Sequence, residues 1–140
     1  MRPLSFSLMI GACAALTVAA CTPEEMPQAS DGRALFMENC AICHGASTKG
    51  GGPMARGMDP MPPDLTLILQ RNGGEFPKVE VLSTIDGYTK STIKAPDMPE
   101  FGALLEGELV PLDTGDGVLT PTPRKLVALL EYLESIQAVR

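Results

Sequence analysis

The chain is short of large rings. It holds two tyrosines and four phenylalanines in 140 residues, and no tryptophan. Hydrophobic residues still make up 44% of it, enough for a compact core in one domain. Such a core lacks its usual bulky fillers and leaves room for some other large apolar body. Positive charge is scarce as well: 11 Lys and Arg against 17 Asp and Glu give a formal net charge of −6. This argues against nucleic acid as a partner, because phosphate binding needs a basic surface. Histidine occurs once, as His44, so a site that needs two imidazoles is excluded.

Long apolar runs are missing except at the N-terminus. There "MRPLSFSLMIGACAALTVAAC" has an early arginine, an apolar stretch and a small-residue end at Ala19-Ala20, the layout of a secretory signal peptide. Ser5, Ser7 and Thr17 interrupt the run, which is short for a membrane span; an uncleaved anchor is the alternative reading. "VAAC", ending at Cys21, resembles the bacterial lipobox, a branched apolar residue and two small ones before a cysteine. The resemblance implies that Cys21 is lipidated and becomes the first mature residue. "IGAC", ending at Cys13, has a similar pattern but would leave a stunted apolar region. The expected organisation is a leader over residues 1–20, a short tether over 21–29 and one folded domain over 30–140. An acylated Cys21 would hold an exported protein at a membrane surface, since each buried CH₂ contributes about 0.8 kcal/mol.

Export changes the cysteine arithmetic. Cys13 and Cys21 belong to the leader, and only Cys40 and Cys43 remain in the folded part. Both lie in "ENCAICHGAS", with His44 directly after the second. An oxidising compartment favours a disulfide between them, and a thioredoxin-type site is one reading. That motif sits at a strand-to-helix turn in a βαβ pattern, yet no convincing strand run precedes Cys40. Structural zinc needs four nitrogen or sulfur ligands, and Cys40, Cys43 and His44 supply three. The remaining reading is covalent haem, for which Cys-x-x-Cys-His is the attachment signature. On a helical stretch, cysteines three apart lie on one face, so both thiols reach the two vinyl groups of one porphyrin edge. His44 follows at once and can turn its imidazole onto the iron. The haem would be the large apolar body that this aromatic-poor core lacks.

"DGRALFMENCAICHG", "GGP" at 51–53, "DMPEFG" at 97–102 and "LVALLEYLESI" at 126–136 together resemble class I monohaem cytochrome c. The resemblance covers most of residues 30–140. It implies a small all-α fold of three to five helices wrapped round one covalent haem c, with His44 as proximal ligand and a methionine as distal ligand. It further implies that the first helix crosses the last near Leu129, Tyr132 and Leu133, and that the Pro53 carbonyl accepts the second ring proton of His44. A metal-bound histidine usually donates that proton to a carbonyl or carboxylate, and the glycines of "TKGGGP" suit a close backbone approach.

The residues place the helices independently. The first should start at Ser30 or Asp31, either of which can cap it. Gly32, Phe36 and Cys40 fall on one stripe at spacing four, with the small Gly32 suited to a close helix crossing. Leu126, Leu129, Leu130 and Leu133 recur at helical spacing, with Thr122 as the expected cap and Pro123 in the first turn. Two shorter helices are expected between them. One runs from near Asp64 to before Gly73-Gly74, the other from near Pro77 to before Gly87. Residues 107–123 depart from the compact pattern by about fifteen extra residues, more than most structureless connections hold. "VPLD" and "GVLT" round "TGDG" are a candidate short hairpin. Asp113 and Asp116 are too few oxygen ligands for a calcium loop.

The sixth iron ligand decides function. The candidates are Met54, Met58, Met61 and Met98. Met98, before Pro99, matches the family's distal loop; Met58 and Met61, flanked by prolines, are the fallback. Thioether ligation favours Fe(II), and a closed six-coordinate iron leaves no site for substrate. Electron transfer, not enzymatic turnover, is therefore the expected activity, with redox proteins as donor and acceptor. The expected setting is the bacterial periplasm at a membrane surface, and the expected state a monomer or a subunit of a complex. A haem subunit of a larger oxidoreductase is the rival reading and a gas sensor the third. Residues 47–94, with Lys49, Arg56, Arg71, Lys78, Lys90 and Lys94, are nearly balanced in charge, while acids gather after Asp97. This suggests a near-neutral docking face and salt-dependent steering.

Overall fold

Helix α1 spans Ala29–Asn39. Asp31, at its third position, accepts a hydrogen bond from the backbone N–H of Gln28 (2.9 Å), and its own N–H donates to the Gln28 carbonyl (3.0 Å). The cap position thus belongs to Gln28, before the expected Ser30 or Asp31. Asp31 works from inside the first turn, where a carboxylate satisfies a free amide and meets the positive end of the helix dipole. The computed structural model describes residues 25–88 and 98–138; the expected leader and Cys21 lie outside them.

A one-turn α2 (Ala41–His44) follows α1 directly. A 3₁₀ turn over Leu65–Leu67 leads into α3 (Ile68–Arg71). It begins next to Asp64, as expected, and Asp64 caps it, its Oδ1 accepting from the Thr66 N–H (2.8 Å) and hydroxyl (2.6 Å). Lys78–Asp86 forms α4, between Pro77 and a left-handed Gly87, and Gly102–Leu105 forms α5. Two strands, β1 (Leu109–Asp113) and β2 (Leu119–Pro123), pair as an antiparallel hairpin, and α6 (Arg124–Ser135) follows without a break. The fold is therefore mostly helical, not all-α. It has six α-helices and two 3₁₀ turns among the described residues, three of the α-helices only four residues long. None of these helices is long and apolar enough to cross a membrane.

The α1–α6 crossing organises the core. A Cβ at Gly32 would overlap the Ala128 carbonyl oxygen and stand 2.7 Å from Tyr132 Cβ, so only glycine permits this approach. One turn on, Phe36 is 2% exposed, and its ring meets Tyr132 with centroids 5.4 Å apart, tilted by 53°. The crossing thus involves Tyr132, as the resemblance implied. Leu126, Val127, Leu129, Leu130 and Leu133 bury the rest of α6 against Ile68, Phe76, Val81, Ile85 and Leu105.

The hairpin departs from expectation in one strand. Residues 119–123 pair with β1, not 117–120, and Thr122 lies in the ladder opposite Val110. Thr122 therefore does not cap α6; its hydroxyl donates to the Thr120 carbonyl (3.0 Å). Prolines set this register. The Arg124 N–H donates to the Glu108 carbonyl (2.8 Å), and hydrogen-bonded and non-bonded pairs alternate along an antiparallel ladder. Pro123, Pro111 and Pro121 fall in the non-bonded pairs, where a missing N–H removes nothing. The turn is closed by Asp113, whose Oδ1 accepts from Gly115 (2.8 Å) and Gly117 (3.0 Å), and by Asp116, which accepts from Val118 (3.0 Å). The amides of Gly115 and Gly117 hold the Asp113 carboxyl below its ordinary pKa. These carboxylates tie the turn; they do not build a cation loop.

Candidate haem site

Cys40 closes α1, its N–H donating to the Phe36 carbonyl (2.8 Å). The amides of Cys43 and His44 both return to the Cys40 carbonyl (3.1 and 2.9 Å). This single turn sets Cys40, Cys43 and His44 on one side of the chain, as the spacing requires. Both thiols are free and half-buried. Burial first and the neighbouring Cys43 second push the Cys40 pKa up to about 11, so it stays a neutral thiol. The disulfide of a thioredoxin-type site is not formed, and the only sheet among the described residues is the distant hairpin. Nor do three or more Cys, His, Asp or Glu residues converge as a metal cluster among the described residues.

His44 packs beside Phe36, ring centroids 6.4 Å apart. Burial lowers its pKa, which keeps the imidazole neutral, the form that offers a lone pair to a metal. Its Nδ1 is buried and has no hydrogen-bond partner. The bond expected from this atom to the Pro53 carbonyl is therefore not made in this structure. Pro53 opens a 3₁₀ turn, Pro53–Ala55, that packs against α2. Backbone bonds fasten the loop before it to the motif: Gly50 N–H to the His44 carbonyl (2.8 Å) and Gly52 N–H to the Cys43 carbonyl (3.0 Å). The glycine this approach requires is Gly52, where a Cβ would stand 2.6 Å from the Ile42 carbonyl carbon and 2.7 Å from that of Cys43. At Gly51 nothing lies within 4 Å, and its φ of +73°, not a close contact, is what favours glycine there.

Met98 packs against the core, half-buried. Met54 and Met61 are exposed and Met58 is half-buried. The chain just after Met98 is locked to the end of α4. The Phe101 N–H donates to the Ile85 carbonyl (3.0 Å), a Cβ on Gly87 would press on Glu100, and one on Gly102 would stand 2.7 Å from Asp86 Oδ1. Residues 89–97, with Lys90 and Lys94 of the expected docking face, lie outside the described residues. Of the other positive charges there, Lys78 pairs with Glu134 (3.2 Å) and Arg71 donates to the Asp64 carbonyl (2.7 Å).

A family model, Cytochrome c, matches residues 29–137. The chain belongs to the cytochrome c family. No curated protein and no solved structure gives a significant match. Membership makes this chain a haem c electron-transfer protein, with one covalent haem and its iron as cofactor. The cytochrome's own residues fit that group. Two unpaired thiols and a neutral imidazole share one turn. Cys40, Leu65, Leu69, Leu82, Met98 and Phe101 are apolar residues packed against the core and only partly buried by it.

Two positions gained roles that sequence reasoning had not assigned. Phe36 backs His44 as well as Tyr132, and the signal was present, since 36, 40 and 44 continue the spacing-four stripe. Gln137, 9% exposed, accepts from the Leu69 N–H (2.9 Å) and donates to the carbonyls of Leu65 (2.9 Å) and Leu133. It clasps the segment that carries Leu65 and Leu69 to the end of α6. A lone glutamine near a C-terminus announces no such role.

Proposed function

We propose that this cytochrome is a one-electron carrier in which His44 and Met98 would hold the haem iron, exported to the periplasm and held at a membrane surface by a lipid on Cys21. The observation that carries the ligand assignment is the place of His44, a lone, neutral, half-buried imidazole that directly follows two free thiols on one turn. When bound, the haem supplies a one-electron Fe(III)/Fe(II) couple. Cys40 and Cys43 would hold it covalently, and His44 would offer its lone pair from the same turn. Pro53, on the turn packed against that helix, offers a carbonyl for the Nδ1 proton, which would orient the ring and strengthen it as a ligand. Met98 offers a thioether from a loop braced on α4, a donor that favours Fe(II) and raises the potential. Donor and acceptor are redox proteins that dock at the haem edge. Export and the anchor are supported by the leader-like run and its "VAAC" end.

Replacing Met98 tests the ligand set. Met98→Ala should open the sixth position, so that the reduced protein binds carbon monoxide, the potential falls and the weak sulfur-to-iron band at the red end of the ferric spectrum disappears. Met58→Ala and Met61→Ala should keep that band. If Met98→Ala keeps it and one of the other two loses it, the distal ligand lies in the proline-rich loop.

A further inference from the structure

The hairpin has two faces of opposite character. Val110, Leu112 and Thr122 are buried against the core. Cross-strand partners share a face, so the other face carries Leu109 with Pro123, Pro111 with Pro121 and Asp113 with Leu119. Leu109 and Leu119 are 57% and 64% exposed, and Val118, next to Leu119, is 59% exposed. Pro111 and Pro121 are exposed too. Single exposed apolar residues need no explanation, but a contiguous strip of them marks an interaction surface.

Where the chain enters the fold says what covers this strip. The Glu25 carbonyl accepts from Arg124 Nη1 (2.8 Å), while Arg124 Nε meets Glu108 Oε2 (2.8 Å). Glu108 immediately precedes β1 and Arg124 immediately follows β2, so the N-terminal entry is pinned to the base of the hairpin. Met26, 41% exposed, lies at the same end. Cys21 is four residues upstream of Glu25, a reach of about 14 Å even when fully extended. A lipid on Cys21 therefore brings the hairpin base to the bilayer surface.

We propose that the outer face of the hairpin, with Leu109, Pro111, Leu119 and Pro121, rests on the lipid surface at the level of the headgroups. This rests on the lipid-anchor reading above. The charges nearby suit a shallow seat. Glu108 is paired with Arg124, and Asp113 and Asp116 are occupied by turn amides. Glu106, Glu108, Asp113 and Asp116 outnumber Arg124 and Lys125 by two, so the partner is a zwitterionic surface, not an anionic one. The contact also orients the cytochrome. Glu25 lies near the start of α1 and Cys40 closes its far end; 11 residues at 1.5 Å each span about 16 Å. The haem motif thus lies about one helix length from the tethered end of the chain.

The test uses the full-length, lipidated holoprotein on phosphatidylcholine vesicles. Nitroxide labels are placed at Leu109→Cys, Leu119→Cys and, as a control on α4, Val79→Cys. Acylation of Cys21 and the thioethers at Cys40 and Cys43 leave the introduced cysteine as the free thiol. At Leu109 and Leu119, accessibility to oxygen relative to a water-soluble nickel complex should rise several-fold over the same label in soluble Cys21→Ser protein. Val79 should not change. If mass analysis confirms the lipid and neither hairpin site responds, the hairpin contact is wrong and the anchor stands. A protein with no lipid that stays in the aqueous phase removes the anchor and the contact together. Labels that lose mobility without gaining oxygen access, on vesicles and in solution alike, show cover by a second copy and overturn the lipid assignment.

Discussion

Gly32→Ala separates the close-crossing account from helix propensity, because the two predict opposite signs. In an exposed helix interior the change stabilises by about 1 kcal/mol. Here the new methyl would meet backbone. It would lie 2.5 Å from the Ala128 carbonyl carbon and 2.7 Å from Tyr132 Cβ, where carbon atoms prefer about 3.5–4.0 Å. Backbone cannot rotate aside, so α1 and α6 must part by about 1 Å, a shift on the scale of the contact deficit. That also loosens Phe36, Val127 and Leu130, which are 2%, 0% and 0% exposed. An overpacking cost near 3 kcal/mol, at the upper end of the usual range, less the propensity gain leaves a loss of about 2 kcal/mol. For a domain of this size that lowers the melting temperature by roughly 6–11 °C. Thermal unfolding of the oxidised holoprotein, followed by far-ultraviolet circular dichroism, measures it. Ala128→Gly should not rescue the variant, since the obstruction is a carbonyl and not a side chain. A Gly32→Ala protein as stable as the wild type, or more so, would refute the crossing.

Haem should stay with the polypeptide under denaturing electrophoresis, and Cys40→Ala with Cys43→Ala should abolish this; extraction of wild-type haem by acidic organic solvent would contradict the assignment. Gln137→Leu strands the Leu69 N–H and the Leu65 carbonyl, so urea unfolding should show a loss of about 2–3 kcal/mol; an unchanged midpoint would mean the clasp contributes nothing. Hydrogen bonds from Thr66, the side-chain one foremost, hold the Asp64 pKa below its ordinary 3.8. Its contribution to stability is therefore complete above that value and lost as the pH falls through the lower folded-state value. The gap in urea midpoint between wild type and Asp64→Asn should accordingly close as the pH drops below 3.8, and a gap that widens there would reverse the assignment.

What could be read from the chain followed from how local each signal is. Helix α6 was clear because four leucines at helical spacing have one reading, and Pro77 and Gly87 bracket α4 because each acts on its own backbone. The ends of α1 and α6 were misplaced where a neighbouring element competed. Ser30 and Asp31 can both cap, but Asp31 is engaged one turn inward, and Thr122 could cap only if no strand claimed it. The hairpin's second strand was placed two residues early because "TGDG" looked like the whole turn. The prolines held the better signal. Pro121 and Pro123 are two apart, which a strand tolerates only when both N–H positions face out of the ladder, and that phase places β2 at 119–123.

The haem motif could be read because covalent chemistry demands adjacency in sequence, whereas its supports are adjacent only in space. Nothing in "DMPEFG" says that Gly102 is small because Asp86 stands beside it, or that Glu100 lies against Gly87. Those contacts exist because α4 ends where the Met98 loop returns. One support does have a sequence trace. Gly32, Phe36, Cys40 and His44 recur at intervals of four. The first admits α6, the second touches both Tyr132 and His44, the third carries a thiol and the fourth the imidazole. The same stripe of α1 and α2 thus packs the core and presents the His44 imidazole. A perturbation at Gly32, three turns from His44, should therefore reach the imidazole through Phe36 and not through the loops.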